Sequence, residues 1–376
     1  MKAKSRLSFI DKVILWLNVI LALSILISYI APFADPKTFW VFAFFGLAYP
    51  ILLVANLIMV GYWLLRRKWH FFISVACILC GWTVLNNTIG FRAGDNYQDA
   101  KGGGRPMDTG NVRVMTYNVH NFKKYGSKND ISTKHEILDI INHEHPDIIG
   151  FQEFYSRMHG EYDMRDSLVK IMGPGFYYFE PVIYNSTEAI GIAIFSKFPI
   201  KAHGLIRFSD KASENECIYI DVQKGDQMFR MYSVHLQSIR FDPEDYKYIN
   251  SITGNEKTDK SSARRLGSKL KTAFIRRSDQ VVKIKESAAQ CPYPYIISGD
   301  FNDTPSSYAV NYMATGLKNA FHEKGSGFGR TYNGNFPNYQ IDYIMASPQF
   351  KVASYQIVEK KLSDHYPVRS DLILSR

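Results

Sequence analysis

The chain has 376 residues and a formal net charge of +10, enough length for one large domain and a further segment. The charge is uneven: residues 1–110 hold 11 Lys/Arg against 5 Asp/Glu, which leaves 34 against 30 for residues 111–376. The C-terminal part is therefore only mildly basic, so the total charge is no signature of a nucleic-acid binder, although such a partner is permitted.

All five tryptophans (Trp16, Trp40, Trp63, Trp69, Trp82) precede residue 90, which predicts different solvents for the two parts. Three runs carry no charge: 13–30, 39–65 and 71–89. A bilayer span needs about 20 mostly apolar residues, so these runs predict three transmembrane helices. A 27-residue uncharged run such as 39–65 is hard to house in the core of a soluble domain. The exit of the first run, Ile30-Ala31-Pro32, is a poor cleavage site, and a second span follows at once, against a cleaved signal peptide. Lys2, Lys4, Arg6 and Lys12 precede the first run, and Arg66-Arg67-Lys68 lies between the second and third. Positive segments stay cytoplasmic, so the N-terminus is expected inside and everything after residue 90 outside. In a bacterium this is the inner membrane with a periplasmic or extracytoplasmic domain. Cys77 and Cys80 fall in the third run and read as packing residues; Cys217 and Cys291 read as core residues whose pairing the sequence leaves open.

Residues 91–110, with Gly102-Gly103-Gly104 and Pro106, predict a flexible linker. A second domain is expected over 111–376. Strands are predicted at 112–119, 147–152, 188–196, 217–222, 228–236, 295–298, 341–346, 352–358 and 366–374, with another starting near Ile200. Thr133 and Glu136 form a capping-box pattern for a helix to about His143 whose Ile137, Ile140 and Ile141 share a face. Residues 240–260 read as a polar excursion and 261–289 as a helix. Many strands with few helices between them suggest an α/β, two-sheet core with helices outside.

Polar residues recur where the apolar runs end. Thr116-Tyr117-Asn118, Gln152-Glu153, Ser233-Val234-His235, Gly299-Asp300-Phe301-Asn302, Ile341-Asp342-Tyr343 and Ser363-Asp364-His365-Tyr366-Pro367 follow one another along the chain. Each alone has an ordinary structural reading; together they describe one site. Buried carboxylates are paired, protonated or on a metal. Oxygen ligands without a Cys/His cluster suit Mg²⁺ or Mn²⁺. An Asp–His pair fixes the imidazole tautomer and suits activation of water, a role open to His365 with Asp342. His235 can bind a phosphate oxygen or protonate a leaving group, while Asn118 and Asn302 can hold metal, phosphate or water without adding charge. The remaining histidines, His120 among them, read as surface or packing residues.

This ordered set resembles the endonuclease/exonuclease/phosphatase superfamily, as does the run from Gly191 through Ile200. The resemblance covers some 260 residues, from Asn111 to Leu374, and leaves out the membrane part. It implies a four-layered α/β/β/α sandwich of the DNase I-like type, here preceded by three transmembrane helices, and Mg²⁺-dependent hydrolysis, with Mn²⁺ as a substitute. By position it implies Asn118, Glu153 and Asp364 as metal ligands, and Asn118, His235 and Asn302 as substrate-binding residues. His235, Asp300, Asn302, Asp342 and His365 are the implied catalytic residues. His235 stands where repair nucleases of the superfamily carry Tyr. Arg330-Thr331-Tyr332 resembles the short element before the Ile-Asp strand, and Glu188 is a candidate acid partner of His235.

The expected activity is membrane-anchored hydrolysis of a phosphoester, on a lipid head group or a small phosphodiester, with the bilayer as a further partner and no feature calling for an obligate protein partner. An extracytoplasmic nuclease is the alternative, supported by ten Lys/Arg over 257–285, which also fit a solvated or lipid-facing helix face. A non-catalytic receptor or scaffold is a third. Selectivity is expected from the loops 240–260 and 316–328.

Overall fold

The N-terminal apolar runs fold as helices in the computed structural model, which describes residues 7–91, 111–123, 131–173, 175–210, 213–253, 259–334 and 338–375. Helices α1 (Phe9–Ser28) and α2 (Pro36–Leu65) are each long and apolar enough to cross a membrane. The third run is not one helix. It forms α3 (Phe71–Cys80) and α4 (Trp82–Thr88), bent by 75°. The expectation of three continuous spans is therefore corrected to two, or three if the bent pair counts as one. The break falls at Gly81, where an added Cβ would lie 2.0 Å from the Tyr29 ring, so the chain can turn against that ring only without a side chain. Helix α1 starts before residue 13 because Asp11 does not interrupt it: Arg66 pairs with its carboxylate at 2.9 Å and Tyr62 donates to it. Deeper in the anchor, Asn18 donates to Ser74 (2.6 Å), Ser74 to Asn56 (2.8 Å) and Trp63 to Asn18 (2.9 Å). These bonds tie α1, α2 and α3 and pair polar groups that their apolar surroundings would otherwise leave unsatisfied.

After the short strand β1 (Ile89–Phe91) the described chain resumes with β2 (Asn111–Asn118), α5 (Ile131–Glu144), β3 (Ile148–Arg157), α6 (Met164–Met172), β4 (Phe176–Tyr184), β5 (Glu188–Ser196) and β6 (Ile200–Arg207). The hairpin β7 (Glu216–Lys224) and β8 (Gln227–His235) follows, then α7 (Pro243–Thr253), α8 (Lys260–Ala289), β9 (Tyr295–Asp300), α9 (Tyr308–Ala314), β10 (Lys318–Asn319) and α10 (Ala320–Lys324). Strands β11 (Ser326–Phe328), β12 (Asp342–Ala346), β13 (Phe350–Ile357) and β14 (Val368–Leu374) complete the chain. The linker expected at 91–110 lies, beyond Phe91, outside the described residues. Thr133 sits inside α5 rather than at its cap, since the helix already begins at Ile131.

Two six-stranded sheets form the core, in orders β13-β14-β2-β3-β5-β4 and β10-β12-β9-β8-β7-β6. They face each other across Val114, Ile148, Ile194, Ile220, Met231 and Ile344, all buried. Helices α5 and α6 cover the first sheet through Ile137, Ile141 and Leu168. Helices α8 and α9 cover the second through Val281, Ile284, Val310 and Met313. The result is the four-layered α/β/β/α arrangement: alternating side chains give each sheet two apolar faces, and both need cover.

The N-terminal apolar helices touch this sandwich directly. Ser278 on α8 donates to Asp35 (2.6 Å), Lys37 pairs with Asp279 (2.9 Å), and Phe44 meets Phe274 edge-on. The Ser306 hydroxyl donates to the Gly46 carbonyl at 2.8 Å. A Cβ on Gly46 would come within 2.9 Å of the Ser306 carbonyl oxygen and 2.7 Å of Ala31, so α2 and the loop after β9 meet through a glycine. Strand β1 pairs antiparallel with β11, and Asn86 lies 3.0 Å from His322.

Candidate active site

Strand register assembles the site. His235 ends β8, Asp300 ends β9 and Asp342 begins β12; they are direct neighbours, His235 beside Asp300 in a parallel pair and Asp300 beside Asp342 in an antiparallel one. The other sheet brings Asn118, the end of β2, beside Gln152 in the middle of β3. Buried Gln152 donates to Ser233 of β8 (3.0 Å), joining the sheets just beneath the site. The register of β3 slips between Phe151 and Phe154, and within that bulge Glu153 adopts φ +52°. Asn302 (φ +52°) and His120 (φ +43°) share this left-handed conformation. It costs an L-residue roughly 1–2 kcal/mol, and such strain gathers at functional sites. For Asn302 a bond from its backbone N–H to Asp300 Oδ1 (2.8 Å) holds it.

Asp300 is the hub. Its Oδ2 accepts from Asn118 Nδ2 and Asn302 Nδ2, each at 3.1 Å, and lies 3.6 Å from His365 Nε2 and 3.7 Å from His235 Nε2. Burial, with the Asp342 charge adding to it, raises its pKa against the pull of His365. His365 Nδ1 faces both oxygens of Asp342, at 2.9 and 3.1 Å. A carboxylate only accepts, so the proton on that nitrogen is fixed and Nε2 is left to the site. Burial opposes the His365 charge, yet Asp342 and Asp300 raise its pKa well above the ordinary histidine value. Thr331 Oγ1 accepts from the backbone of Ile341 and Asp342, and Tyr332 bridges to His365, so the segment at 330–332 supports the pair.

His235 lies 2.9 Å from the Glu214 carbonyl through Nδ1, which must therefore donate. Its Nε2 is buried without a hydrogen-bond partner, 4.0 Å from Glu153 Oε1. The expected partnership with Glu188 is corrected: that carboxylate accepts from Tyr155 (2.6 Å) and neighbours Arg157. Glu188 begins β5 opposite Arg157, four residues beyond Glu153 along β3.

Glu153 and Asp364 flank His120, whose Nδ1 is 3.4 Å from one and 3.8 Å from the other. Burial disfavours charge on Glu153, but the His120 bond and the nearby imidazoles outweigh it and hold the carboxyl at about 2. The same bond raises His120. Histidine 120, read from the sequence as surface or packing, is thus part of the site. Its one sequence signal was its place two residues past Asn118, in a turn that the strand pattern does not describe. Asn118 presents Nδ2 to Glu153 (3.1 Å), while its oxygen accepts the His120 backbone N–H.

Two donor sets fit a divalent cation. Asp300, Asp342 and His365 have ligand atoms within 4.8 Å of one another, but these atoms already satisfy each other through the bonds above. Glu153 and Asp364 keep partly exposed carboxylates around a raised imidazole, an oxygen-donor pair that suits a hard cation. Both face a cavity of about 320 Å³, also lined by His235, Asn302, His365, Arg277, Asp303 and Tyr246. Arg240 and Phe241 line it too, so the excursion at 240–260 reaches the site, and part of it is helix α7. The segment 316–328, expected to shape selectivity, instead pairs with β1 next to the anchor. All four cysteines are free.

No curated protein matches the chain. A profile described as a domain of unknown function matches residues 11–88. Among solved structures, the human Nocturnin catalytic domain with bound sulfate anion is similar at 18% identity and TM-score 0.51, over 72% of this chain and 95% of that one. An endonuclease/exonuclease/phosphatase from Bacteroides vulgatus is similar at 17% and 0.51, over 70% and 99%. Another from Beutenbergia cavernae is similar at 18% and 0.50, over 70% and 72%. At such identities these likenesses speak to the fold alone. Members of the family they point to are usually phosphoester hydrolases and typically depend on a divalent metal. The profile of that family matches residues 115–365, the stretch that holds every residue of the site and all of the second sheet, and the chain belongs to the endonuclease/exonuclease/phosphatase family.

Proposed function

We propose that this chain is a membrane-anchored, Mg²⁺-dependent phosphoesterase. The observation that carries the reading is the side-by-side placement of His235, Asp300 and Asp342 at neighbouring strand ends, with Asp342 and Asp300 against His365, beneath a cavity lined by His235, His365, Glu153 and Asp364. Glu153 and Asp364 would hold the cation, with Asn118 joining once its amide turns to offer oxygen. A bound Mg²⁺ or Mn²⁺ neutralises phosphate charge and polarises the P–O bond. The protein's own residues do the rest. A water oxygen bonds to phosphorus, the ester P–O bond breaks, and the leaving oxygen takes up a proton. A cation held beside it would disfavour the imidazolium, so His365 Nε2 would then accept the water's proton, and Asp342 would stabilise the imidazolium that forms. His235 Nε2, otherwise without a partner, meets a non-bridging or leaving oxygen. Asn302 is fixed by Asp300 and the Leu236 carbonyl, so its side-chain oxygen orients water or substrate.

The catalytic part lies outside the cytoplasm in this reading. The α1–α2 turn and the end of α4, where the sandwich docks, are at the opposite end of the anchor from Arg66-Arg67-Lys68. A reporter fused to the C-terminus should be active only outside the cytoplasm; cytoplasmic activity refutes the orientation. The nuclease alternative loses support because several basic residues of α8 are engaged within the chain. Arg265 and Lys269 pair with Asp245, Arg277 pairs with Asp303, and Lys271 lies over Trp40.

The test is hydrolysis of bis(p-nitrophenyl) phosphate by the full-length protein. Chelation should abolish turnover, Mg²⁺ should restore it, and Glu153→Ala or His365→Ala should lower it by at least about 100-fold with unfolding unchanged. Wild-type turnover in both variants would sink the reading.

A further inference from the structure

The cavity has two unlike ends. One holds the imidazoles and carboxylates of the site. The other is apolar, built from Ile239, Phe241, Tyr246, Leu270, Phe274 and, from the membrane helix α2, Leu47. Phosphate chemistry asks for no such wall, and a small hydrophilic diester gains nothing from it. The wall is continuous with the anchor: Leu47 and Phe44 of α2 pack with Leu270 and Phe274 of α8.

The depth of Leu47 in the bilayer follows from helix geometry. Leu47 and Leu65 are eighteen residues apart on α2, about 27 Å at ~1.5 Å per residue. Leu65 directly precedes the basic turn at Arg66, which marks one edge of the hydrocarbon layer. That layer is about 30 Å thick, so Leu47 lies close to its other edge. Exposed Phe33 and Trp40 lie further along toward the sandwich, and exposed Trp82 stacks on Phe91 beside it, as aromatic side chains at a membrane interface do. The phosphate-handling groups therefore stand near head-group level, and the apolar end of their cavity is walled by Leu47, on the α2 face that packs against α8. A cavity of about 320 Å³ is at the small end of ligand pockets, roughly 300–1,000 Å³. It suits a head group whose chains stay in the bilayer.

Resting on the phosphoesterase reading above, we infer that the substrate is a bilayer lipid carrying a phosphoester head group, admitted from the outer leaflet with its hydrocarbon chain against Leu47 and the head-group phosphate between His235 and Glu153. Hydrolysis adds water across the P–O bond, leaving one product as the phosphate and the other as the alcohol.

The experiment uses the full-length protein reconstituted in phosphatidylcholine vesicles. Phosphatidylglycerol and phosphatidylethanolamine are offered in the same vesicles, against their deacylated, water-soluble counterparts and against single-stranded and duplex DNA. Turnover of at least one vesicle lipid should exceed that of its deacylated counterpart by tenfold or more. Leu47→Asn should lower that lipid-to-soluble ratio by at least tenfold. Phe241→Ser should do the same from a position outside the α2–α8 contact, which guards against a docking defect in the first variant. Equal or faster cleavage of the deacylated diesters or of DNA overturns the inference, as does a ratio that neither substitution moves. Glu153→Ala separates the two levels. If it abolishes all cleavage while no lipid preference exists, the lipid assignment alone fails. If it leaves every rate unchanged, or if wild type cleaves nothing, the phosphoesterase reading fails and the lipid assignment with it.

Discussion

Replacing Asp342 by Asn isolates the charge behind His365 from the shape of the site. The carboxylate accepts from Nδ1 at 2.9 Å, both residues are buried, and the Asp342 backbone is held by Thr331. Asparagine keeps the volume and one acceptor for the Nδ1 proton, so the ring orientation survives. What is lost is a charge-assisted bond, roughly twice as strong as a neutral one, and the Coulomb attraction that favours the imidazolium. At about 4 Å and an effective dielectric near 20 that attraction is about 4 kcal/mol. Relief of repulsion between Asp342 and Asp300 offsets part of it, leaving about 2–4 kcal/mol, or roughly 30- to 1,000-fold in kcat. Asp342 does not line the cavity, so KM should stay within about threefold by the logic of a loss felt only in the transition state. The assay is steady-state hydrolysis of bis(p-nitrophenyl) phosphate with Mg²⁺, with a thermal melt to show the fold intact. A kcat within twofold of wild type, or a large rise in KM at constant kcat, would refute the role given to the pair.

Two further outcomes concern stability. Arg277 and Asp303 form a buried ion pair at 3.0 Å beside the cavity. Arg277→Ala strands the carboxylate and should cost about 3–5 kcal/mol in chemical unfolding, with Asp303→Asn recovering part of the loss in the double variant; an unchanged midpoint contradicts this. Glu216 is different: burial, with Glu180 beside it, raises its carboxyl from 4.5 to about 7. The unfolded chain ionises there first, so this group's stabilising protonated state is lost as pH climbs between those values. Glu216→Gln should therefore raise the melting temperature near pH 8 by roughly 5–15 °C, at about 1.4 kcal/mol per pH unit between those values, and leave it nearly unmoved near pH 4.5. A gain confined to the acid side would reverse the sign and refute the assignment.

Much of the fold was legible because two periods were clear. The alternation of β2, β5 and the β7–β8 hairpin, and the helical spacing of α8, match their predicted places to within a few residues. Strand β4 was missed because Pro181 argues against a central strand. Its place at the sheet edge tolerates that proline. Helix α7 was hidden in a polar stretch with little apolar periodicity. Candidate site residues were legible as polar side chains ending apolar runs, since such groups are costly to bury without a task. Their partners were not. Glu188 was near the expected motif in sequence yet bonds Tyr155, while His120 had no pattern yet stands between Glu153 and Asp364.

The sequence by itself determined that an apolar helical segment precedes an α/β domain, and that a set of polar residues typical of the family is spread along that domain in order. Burial and periodicity are local properties of a chain, and they suffice for that. Tertiary structure alone decided the rest. The side-by-side register of β8, β9 and β12 makes one centre of His235, Asp300 and Asp342. The Tyr29 ring against Gly81 breaks the third apolar run. Docking through Gly46 and Phe44 brings Leu47, a residue of the apolar helix α2 with nothing catalytic about it, into the wall of the cavity. Each depends on which surfaces meet across long stretches of chain, and no window of sequence contains both sides of those contacts.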